Sequence, residues 1–160
     1  MQNWCDKWLL KVNLSKSNVM HFRRKRARKT TYNFHMYGKT VDLVAKYKYL
    51  GVIFDEYLEY KENADVLASS GGRALGAVIN KFKTVKNIGF QTFTCLYESG
   101  VLPILQYCSG VWGGKDFEEL DRVQNRAIRY FLGIHSKAPI PGLRGDMRLR
   151  SRKYRNLFVL

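Results

Sequence analysis

The sequence predicts an α+β chain, with a small antiparallel sheet over residues 1–57 followed by a mainly helical bundle over residues 58–134. Short runs of alternating apolar and polar residues are confined to the first third of the chain. Apolar residues three and four positions apart dominate the middle. A basic tail over residues 135–160, helical from about Asp146, completes the prediction. Hydrophobic residues fill 46% of 160 positions, which suits one globular domain or the end of a larger one.

The first elements are a short helix over residues 1–12 and a short strand over residues 19–22. Asn and Ser residues at positions 13–18 end the helix, because their side chains compete for backbone hydrogen bonds. Residues 23–29, here called the basic run, hold six cations in seven positions and so form a solvated or ligand-bound loop. The predicted apolar face of the helix consists of Trp4, Trp8, Leu9 and Val12.

Three further strand signals follow the basic run. Residues 32–36 and 41–43 alternate apolar and polar side chains on either side of a turn at Gly38 and Lys39, which predicts two strands. Residues 46–55 give the strongest strand signal, since they are rich in β-branched and aromatic side chains. Gly51 interrupts this segment and lets another chain approach the backbone closely.

Three helical segments are predicted after residue 57, over residues 58–86, 90–112 and 116–133. Gly71, Gly72 and Gly76 weaken the first and form either a phosphate cradle or, as we favour, a close helix-packing site. Pro103 is expected to kink or split the second. Asp116 and Glu119 resemble a capping box at the start of the third, and Gly133 suits its C-terminus. The predicted apolar side of the third helix is Leu120, Val123, Ala127 and Phe131.

The charge distribution predicts a polyanionic partner. The formal net charge is +15, and residues 1–30 hold 9 basic groups against 1 acidic group. Residues 137–160 hold 7 against 1, whereas the remainder of the chain is nearly neutral. Clustered cations bind polyanions, so nucleic acid is a better candidate than an anionic membrane surface.

Several classes of protein are excluded. No apolar run reaches the roughly 18 residues that a membrane helix needs, and the N-terminus lacks the layout of a secretory signal. Three widely spaced cysteines form no disulfide framework, so we expect an intracellular location, nuclear or cytoplasmic. The three histidines have no neighbours at metal-ligand spacing, and no Asp-Asp pair is present for a two-metal site.

Four segments of the chain carry a family resemblance, namely residues 4–22 (WCDKWLLKVNLSKSNVMHF), 47–55 (YKYLGVIFD), 96–112 (LYESGVLPILQYCSGVW) and 120–133 (LDRVQNRAIRYFLG). In this order they resemble the C-terminal part of the reverse transcriptase of non-LTR (LINE-type) retrotransposons, which comprises the end of the palm, the thumb and the connection. The resemblance implies that residues 1–57 are a palm remnant and residues 58–134 a thumb and connection of an RNA-directed DNA polymerase.

The resemblance implies two sites in the palm remnant. Asn13 and Lys16 match an Asn-x-x-Lys element, so Lys16 is a candidate general acid on the pyrophosphate side; the alternative is an exposed lysine at the end of a turn. Tyr49, Leu50 and Gly51 match the primer grip, a hairpin whose backbone holds the primer end. Its alternative is a buried strand with a bulge.

The resemblance also implies contacts to the phosphates of a template-primer duplex of RNA and DNA. Arg122 lies within pairing distance of Glu118 and Glu119, so a salt-bridged surface residue is favoured there. The basic run is equally suited to nuclear localisation. The candidate nucleic-acid-binding residues are Arg23, Arg24, Lys25, Arg26, Arg28, Lys29, Arg126 and Arg129.

This chain departs from the family because the fingers, the first catalytic aspartate and the Asp-Asp turn would lie upstream of residue 1. We therefore expect no polymerase activity from the chain alone and no cofactor bound by it, with Mg²⁺ needed only in the complete polymerase. The missing fingers and palm would be its partners. Two alternatives remain: a stand-alone basic adaptor that binds nucleic acid or protein, and a relic with orphaned apolar surface at Trp4, Trp8, Tyr32, Phe34 and Tyr49.

Overall fold

The computed structural model describes residues 1–85 and 89–135, and the predicted helix from Asp146 lies outside them. The predicted α+β class is confirmed, since short strands precede a series of helices. The chain divides into two compact units, Met1–Tyr60 and Lys61–Leu160.

The first unit contains one short helix and five short strands. Strand β1 pairs in parallel with β3, which pairs antiparallel with β2, so this three-stranded sheet is mixed and has the order β1-β3-β2. Strands β4 and β5 form a separate antiparallel pair. The elements are α1 (Gln2–Lys7), β1 (Asn18–Val19), β2 (Phe34–Met36), β3 (Lys39–Leu43), β4 (Lys46–Tyr49) and β5 (Val52–Asp55).

Two hairpins in this unit share one kind of turn. Tyr37 and Gly38 both have positive φ, 51° and 71°, as do Leu50 and Gly51, 46° and 84°. Two central residues with positive φ define the turn whose twist matches that of antiparallel strands. The predicted single strand over residues 46–55 is therefore two strands, and Gly51 is needed for the turn itself.

Helix α1 is shorter than predicted and presents its tryptophans to solvent. Leu9, with φ of 55°, ends the helical path well before residue 12. Cys5 is buried, whereas Trp4 and Trp8 are 58% and 61% exposed. Tyr37 Oη donates a hydrogen bond of 2.8 Å to Asp6 Oδ1, which tethers α1 and raises the pKa of Tyr37 to about 12.

The second unit is helical over its described residues, 61–85 and 89–135. Tyr97–Val101 forms a π-helical turn just before Pro103, which has no N–H to bond the carbonyl of residue 99. The predicted splitting of this segment is therefore confirmed. The helices are α2 (Lys61–Thr84), α3 (Phe90–Leu96), α4 (Leu102–Leu105), α5 (Ser109–Trp112) and α6 (Glu118–Leu132).

Aromatic side chains from several helices form the core of the second unit. Phe93 is 1% exposed, and its ring centroid lies 5.3 Å from that of Phe82 and 4.8 Å from that of Phe131. Trp112 is also 1% exposed and donates its indole N–H to the Tyr107 carbonyl. These contacts join α2, α3 and α6 around one apolar centre.

For helix α6, the prediction of the C-terminal end is confirmed and that of the N-terminal end is not. The N-cap is Phe117, one residue after the predicted Asp116, and its side chain forms no capping hydrogen bond. The predicted capping box is therefore wrong. Gly133 adopts φ of 62° and ends the helix as predicted. The Ile134 N–H then bonds the Arg129 carbonyl, which satisfies one of the last free carbonyls.

Gly71 is a close-packing site between helices and not a phosphate cradle. It is buried in α2, and a Cβ atom placed there would lie 2.4 Å from Cδ2 of Leu105 in α4. A Cβ at Gly76, in the same helix, meets no atom within 4 Å. A side chain at Gly71 would therefore clash with Leu105, whereas one at Gly76 would not. The sequence pattern does not distinguish the two glycines.

Opposite effects on stability are expected from adding a side chain at each of these two glycines. Gly76→Ala raises the free energy of unfolding by about 0.5–1 kcal/mol, because alanine restricts the unfolded chain and favours helix. Gly71→Val lowers it by about 1–3 kcal/mol, because the buried Leu105 side chain has no free space to enter. Urea unfolding of both variants checks this. Stabilisation by Gly71→Val would contradict the packing.

Candidate nucleic-acid interface

Arg23, the first cation of the basic run, is held by the turn after β5. Its Nε donates to Glu56 Oε2 at 3.1 Å, and its Nη2 donates to Tyr57 Oη at 2.8 Å. The guanidinium also lies 4.9 Å from the centre of the Tyr57 ring. Its own N–H donates to the Glu56 carbonyl, and Nη1 donates to the Ala27 carbonyl. Arg23 thus anchors the basic run more than it presents charge to a ligand.

Lys25 makes the second attachment of the basic run. Its Nζ lies 2.5 Å from Glu59 Oε1, and both side chains remain substantially exposed. The hydrogen bond and the charge of Glu59 raise the pKa of Lys25. An exposed pair of this kind contributes little stability, so Lys25 remains available for exchange with a phosphate.

The other four cations of the basic run project into solvent. Their side chains make no hydrogen bond or ion pair with any residue in the described part of the chain. Because Arg23 fixes the base of the run, these charges are displayed from one tethered loop. The four residues are Arg24, Arg26, Arg28 and Lys29.

The carboxyl of Glu56 is the acceptor on which this anchoring depends. Partial burial raises its pKa, but the Arg23 and Tyr57 hydrogen bonds and the charges of Arg23 and Lys29 outweigh burial and lower it. A lowered pKa in the folded state means that the interaction stabilises the fold at pH values above the usual carboxyl pKa. The stabilisation is lost as the pH falls through the lowered value.

Glu56→Gln should loosen the basic run. Without the carboxylate, the Arg23 guanidinium loses its charged acceptor, so trypsin cleaves within residues 24–29 several times faster at neutral pH. The parent protein is expected to lose this anchoring as the pH falls through the lowered pKa of Glu56, whereas the variant should show no such acid dependence when amide hydrogen exchange of residues 24–29 is followed. Asp42→Asn is the matched control, because Asp42 is exposed and has no ion pair within the described residues. Equal cleavage of both variants would contradict the anchoring role.

Lys16 lies at the end of a capped turn. Asn13 Oδ1 accepts hydrogen bonds from the Ser15 N–H at 3.1 Å and from Ser15 Oγ at 2.7 Å, which fixes a 3-10 turn over Leu14–Lys16. Tyr47 Oη on β4 donates to the Lys16 carbonyl at 3.3 Å. The Asn-x-x-Lys element therefore contacts the hairpin that carries the predicted primer grip.

The predicted primer grip is the tip of the β4–β5 hairpin. Tyr49 is 59% exposed and Leu50 is 74% exposed, so the tip is open to a ligand. The hairpin form is confirmed, and the alternative of a buried strand with a bulge is not observed. Its role in holding a primer stays a prediction.

The arginines of α6 differ in their surroundings. Arg122 Nη2 donates to Glu118 Oε2 at 3.1 Å, the favoured surface pair. Arg126 is exposed. Arg129 is half-buried, and its buried Nε has no hydrogen-bond partner among the described residues. Arg126 is thus the more accessible of the two candidates on this helix.

Sequence reasoning missed the acidic partners of the basic run. Asp55 ends β5 and Glu56 and Glu59 follow it closely, so a cluster of acidic residues is visible in the sequence. Its pairing with cations 33 positions earlier depends on the fold. Asp55 has a separate role, since its carboxylate accepts hydrogen bonds from the N–H groups of Tyr57, Glu59 and Tyr60.

The described residues do not fit a catalytic Mg²⁺ site. Among them, no group of three or more His, Cys, Asp or Glu side chains is placed to hold a metal ion. The carboxylate of Asp55 bonds backbone N–H groups and that of Glu56 bonds Arg23, so neither is a free oxygen ligand.

In the described part of the chain, no helix is both long and apolar enough to cross a membrane.

One curated protein provides a functional comparison. The chain is 24% identical over 129 residues to the probable RNA-directed DNA polymerase from transposon BS of Drosophila melanogaster. The match covers 79% of this chain but 14% of that polymerase. No protein-family model and no solved structure matches the chain. The similarity supports a reverse-transcriptase-like relationship.

Proposed function

We propose that this chain is a segment of an RNA-directed DNA polymerase of the non-LTR (LINE-type) retrotransposons, and that it contributes primer gripping and template-primer duplex binding. The observation that carries the proposal is the similarity to the transposon polymerase over most of this chain. Because the chain matches 14% of that protein, it supplies only part of the activity.

The arrangement of the basic run supports duplex binding. Four exposed cations are displayed from a loop whose base is tethered by Arg23, which limits the entropy lost when phosphates are bound. Contacts to phosphates position a duplex without reading its sequence. This is what a polymerase requires, since it must accept any template.

The hairpin tip supports primer gripping. Leu50 and Gly51 form a two-residue turn that exposes backbone groups at its outer edge. The contact between Tyr47 and Lys16 keeps a lysine beside this hairpin. An ammonium group here would stabilise the negative charge that develops on the departing pyrophosphate. We expect no polymerisation by the chain alone, because the metal-binding aspartates belong to the complete polymerase.

In the complete polymerase, Lys16→Ala should slow nucleotide addition and leave duplex affinity unchanged. A lysine that protonates or neutralises the departing pyrophosphate acts in the transition state and adds little to ground-state binding. Single-turnover kinetics with a saturating template-primer measure the two properties separately. An unchanged addition rate would remove Lys16 from the chemistry.

Photo-crosslinking tests the proposed primer grip directly. A template-primer with a photoreactive nucleotide at the primer 3′ end is irradiated with the chain, and the labelled peptide is identified by mass spectrometry. The proposal predicts labelling of residues 49–51. The same group at the primer 5′ end is the control and should not label this peptide. Labelling of the peptide from neither or both positions would contradict the primer grip.

A further inference from the structure

A small open cavity lies beside the β4–β5 hairpin, within the unit Met1–Tyr60. Its volume is about 190 Å³, and its lining is mainly aromatic. Phe22 and Phe54 are in edge-to-face contact, with ring centroids 6.5 Å apart, and so form a fixed wall. The lining residues used below are Asn18, Phe22, Tyr47, Tyr49 and Phe54.

The rings of this cavity are accessible from solvent. Tyr49 is 59% exposed, Phe22 is 50% exposed and Tyr47 is 37% exposed. Tyr47 serves two purposes, because its ring lines the cavity while its hydroxyl donates to the Lys16 carbonyl. A turn that carries a cation is therefore fixed to the rim of an aromatic cavity.

The excess of positive charge in the unit that contains the cavity favours some occupants over others. The unit Met1–Tyr60 holds 12 lysines and arginines against 5 aspartates and glutamates. A purely apolar ligand would gain nothing from this excess, whereas a ligand with a flat ring and an adjacent anion would use both features. Aromatic side chains combined with basic groups are the usual platform for unpaired nucleotides.

We propose that this cavity binds one unpaired nucleobase of a single-stranded nucleic acid, stacked against its aromatic wall, with the neighbouring phosphate near Lys16. The Asn18 side chain supplies a donor and an acceptor for the base edge. Every base has a π-face, so this contact adds affinity without demanding a sequence. The inference rests on the proposed function and adds a base-stacking site to its phosphate contacts.

The test compares two labelled single-stranded DNA oligomers of equal length, a thymidine oligomer and the same oligomer made of abasic sites. Fluorescence anisotropy at fixed salt gives the affinity of the full chain for each. The thymidine oligomer should bind about tenfold more tightly, because the abasic strand keeps its phosphates but has nothing to stack.

Variants assign this difference to the cavity. Tyr49→Ala should weaken binding of the thymidine oligomer about tenfold and leave the abasic oligomer unaffected, whereas Tyr49→Phe should retain the preference. Tyr32→Ala is the matched control, because Tyr32 is 67% exposed and does not line the cavity. Circular dichroism of each variant verifies that the fold is intact.

Three results would overturn the inference, and they differ in whether they also contradict the proposed nucleic-acid function. Equal affinity for both oligomers, or equal loss in Tyr49→Ala and Tyr32→Ala, would exclude a base-stacking site and leave phosphate binding by the basic run intact. Absence of binding to any strand at low salt would remove the proposed nucleic-acid function as well.

Discussion

Replacement of Arg24, Arg26 and Arg28 by alanine lowers the affinity for a template-primer duplex by on the order of a hundredfold at about 0.1 M salt. Each of these cations is exposed and has no ion pair within the described residues. A phosphate contact releases condensed counterions, so the loss of three contacts removes the part of the binding free energy that this release supplies. Fluorescence anisotropy with a labelled duplex measures the change.

The control for this triple variant alters the net charge equally but at dispersed positions. Lys7, Lys11 and Lys39 are exposed residues of the same unit and lie outside the basic run. Their replacement by alanine should weaken binding only a fewfold, since scattered charge acts mainly at long range and is screened by salt. Equal losses in both triple variants would mean that overall charge, and not the basic run, binds the duplex.

Phe93→Ala lowers the free energy of unfolding of the helical unit by about 3–5 kcal/mol. The ring is 1% exposed and contacts Phe82, Tyr97 and Phe131. Its removal loses apolar burial and leaves a cavity between three helices, which the surrounding rings fill only in part. Urea unfolding followed by circular dichroism at the helical band measures the effect.

The control for this substitution is Val111→Ala, because Val111 is 52% exposed in the same unit. A surface truncation of this kind changes stability by about 0.5 kcal/mol or less. If Phe93→Ala were no more destabilising than Val111→Ala, the aromatic cluster would not be the centre of this unit.

The helices were the most predictable part of the fold, and their ends were the least. Leu120, Val123 and Ala127 recur at helical spacing because they are buried together, so periodicity reports packing directly. The start of α2 depends instead on Leu58 and Tyr60, whose positive φ values of 54° and 58° exclude a helix before Lys61. No sequence pattern predicts that two such residues adopt this backbone.

The candidate site was predictable in composition but not in arrangement. Six cations of the basic run look equivalent in the sequence, yet the fold pairs Arg23 with Glu56 and leaves Arg24 exposed. Likewise, Trp4 and Trp8 recur at the spacing of a buried helix face, although both are exposed. Spacing alone does not show whether another surface covers that face. The spacing therefore predicted a helix at Trp4, but it did not predict that Trp4, or Trp8 just after the helix, is exposed.

The most direct test of the account is the salt dependence of binding to an RNA-DNA template-primer. Equilibrium anisotropy between about 50 and 200 mM salt gives the slope of log K against log salt concentration. Four or five phosphate contacts by the basic run and Arg126 predict a slope of about −4. A slope near zero at measurable affinity would contradict electrostatic duplex binding and, with it, the proposed role of this chain.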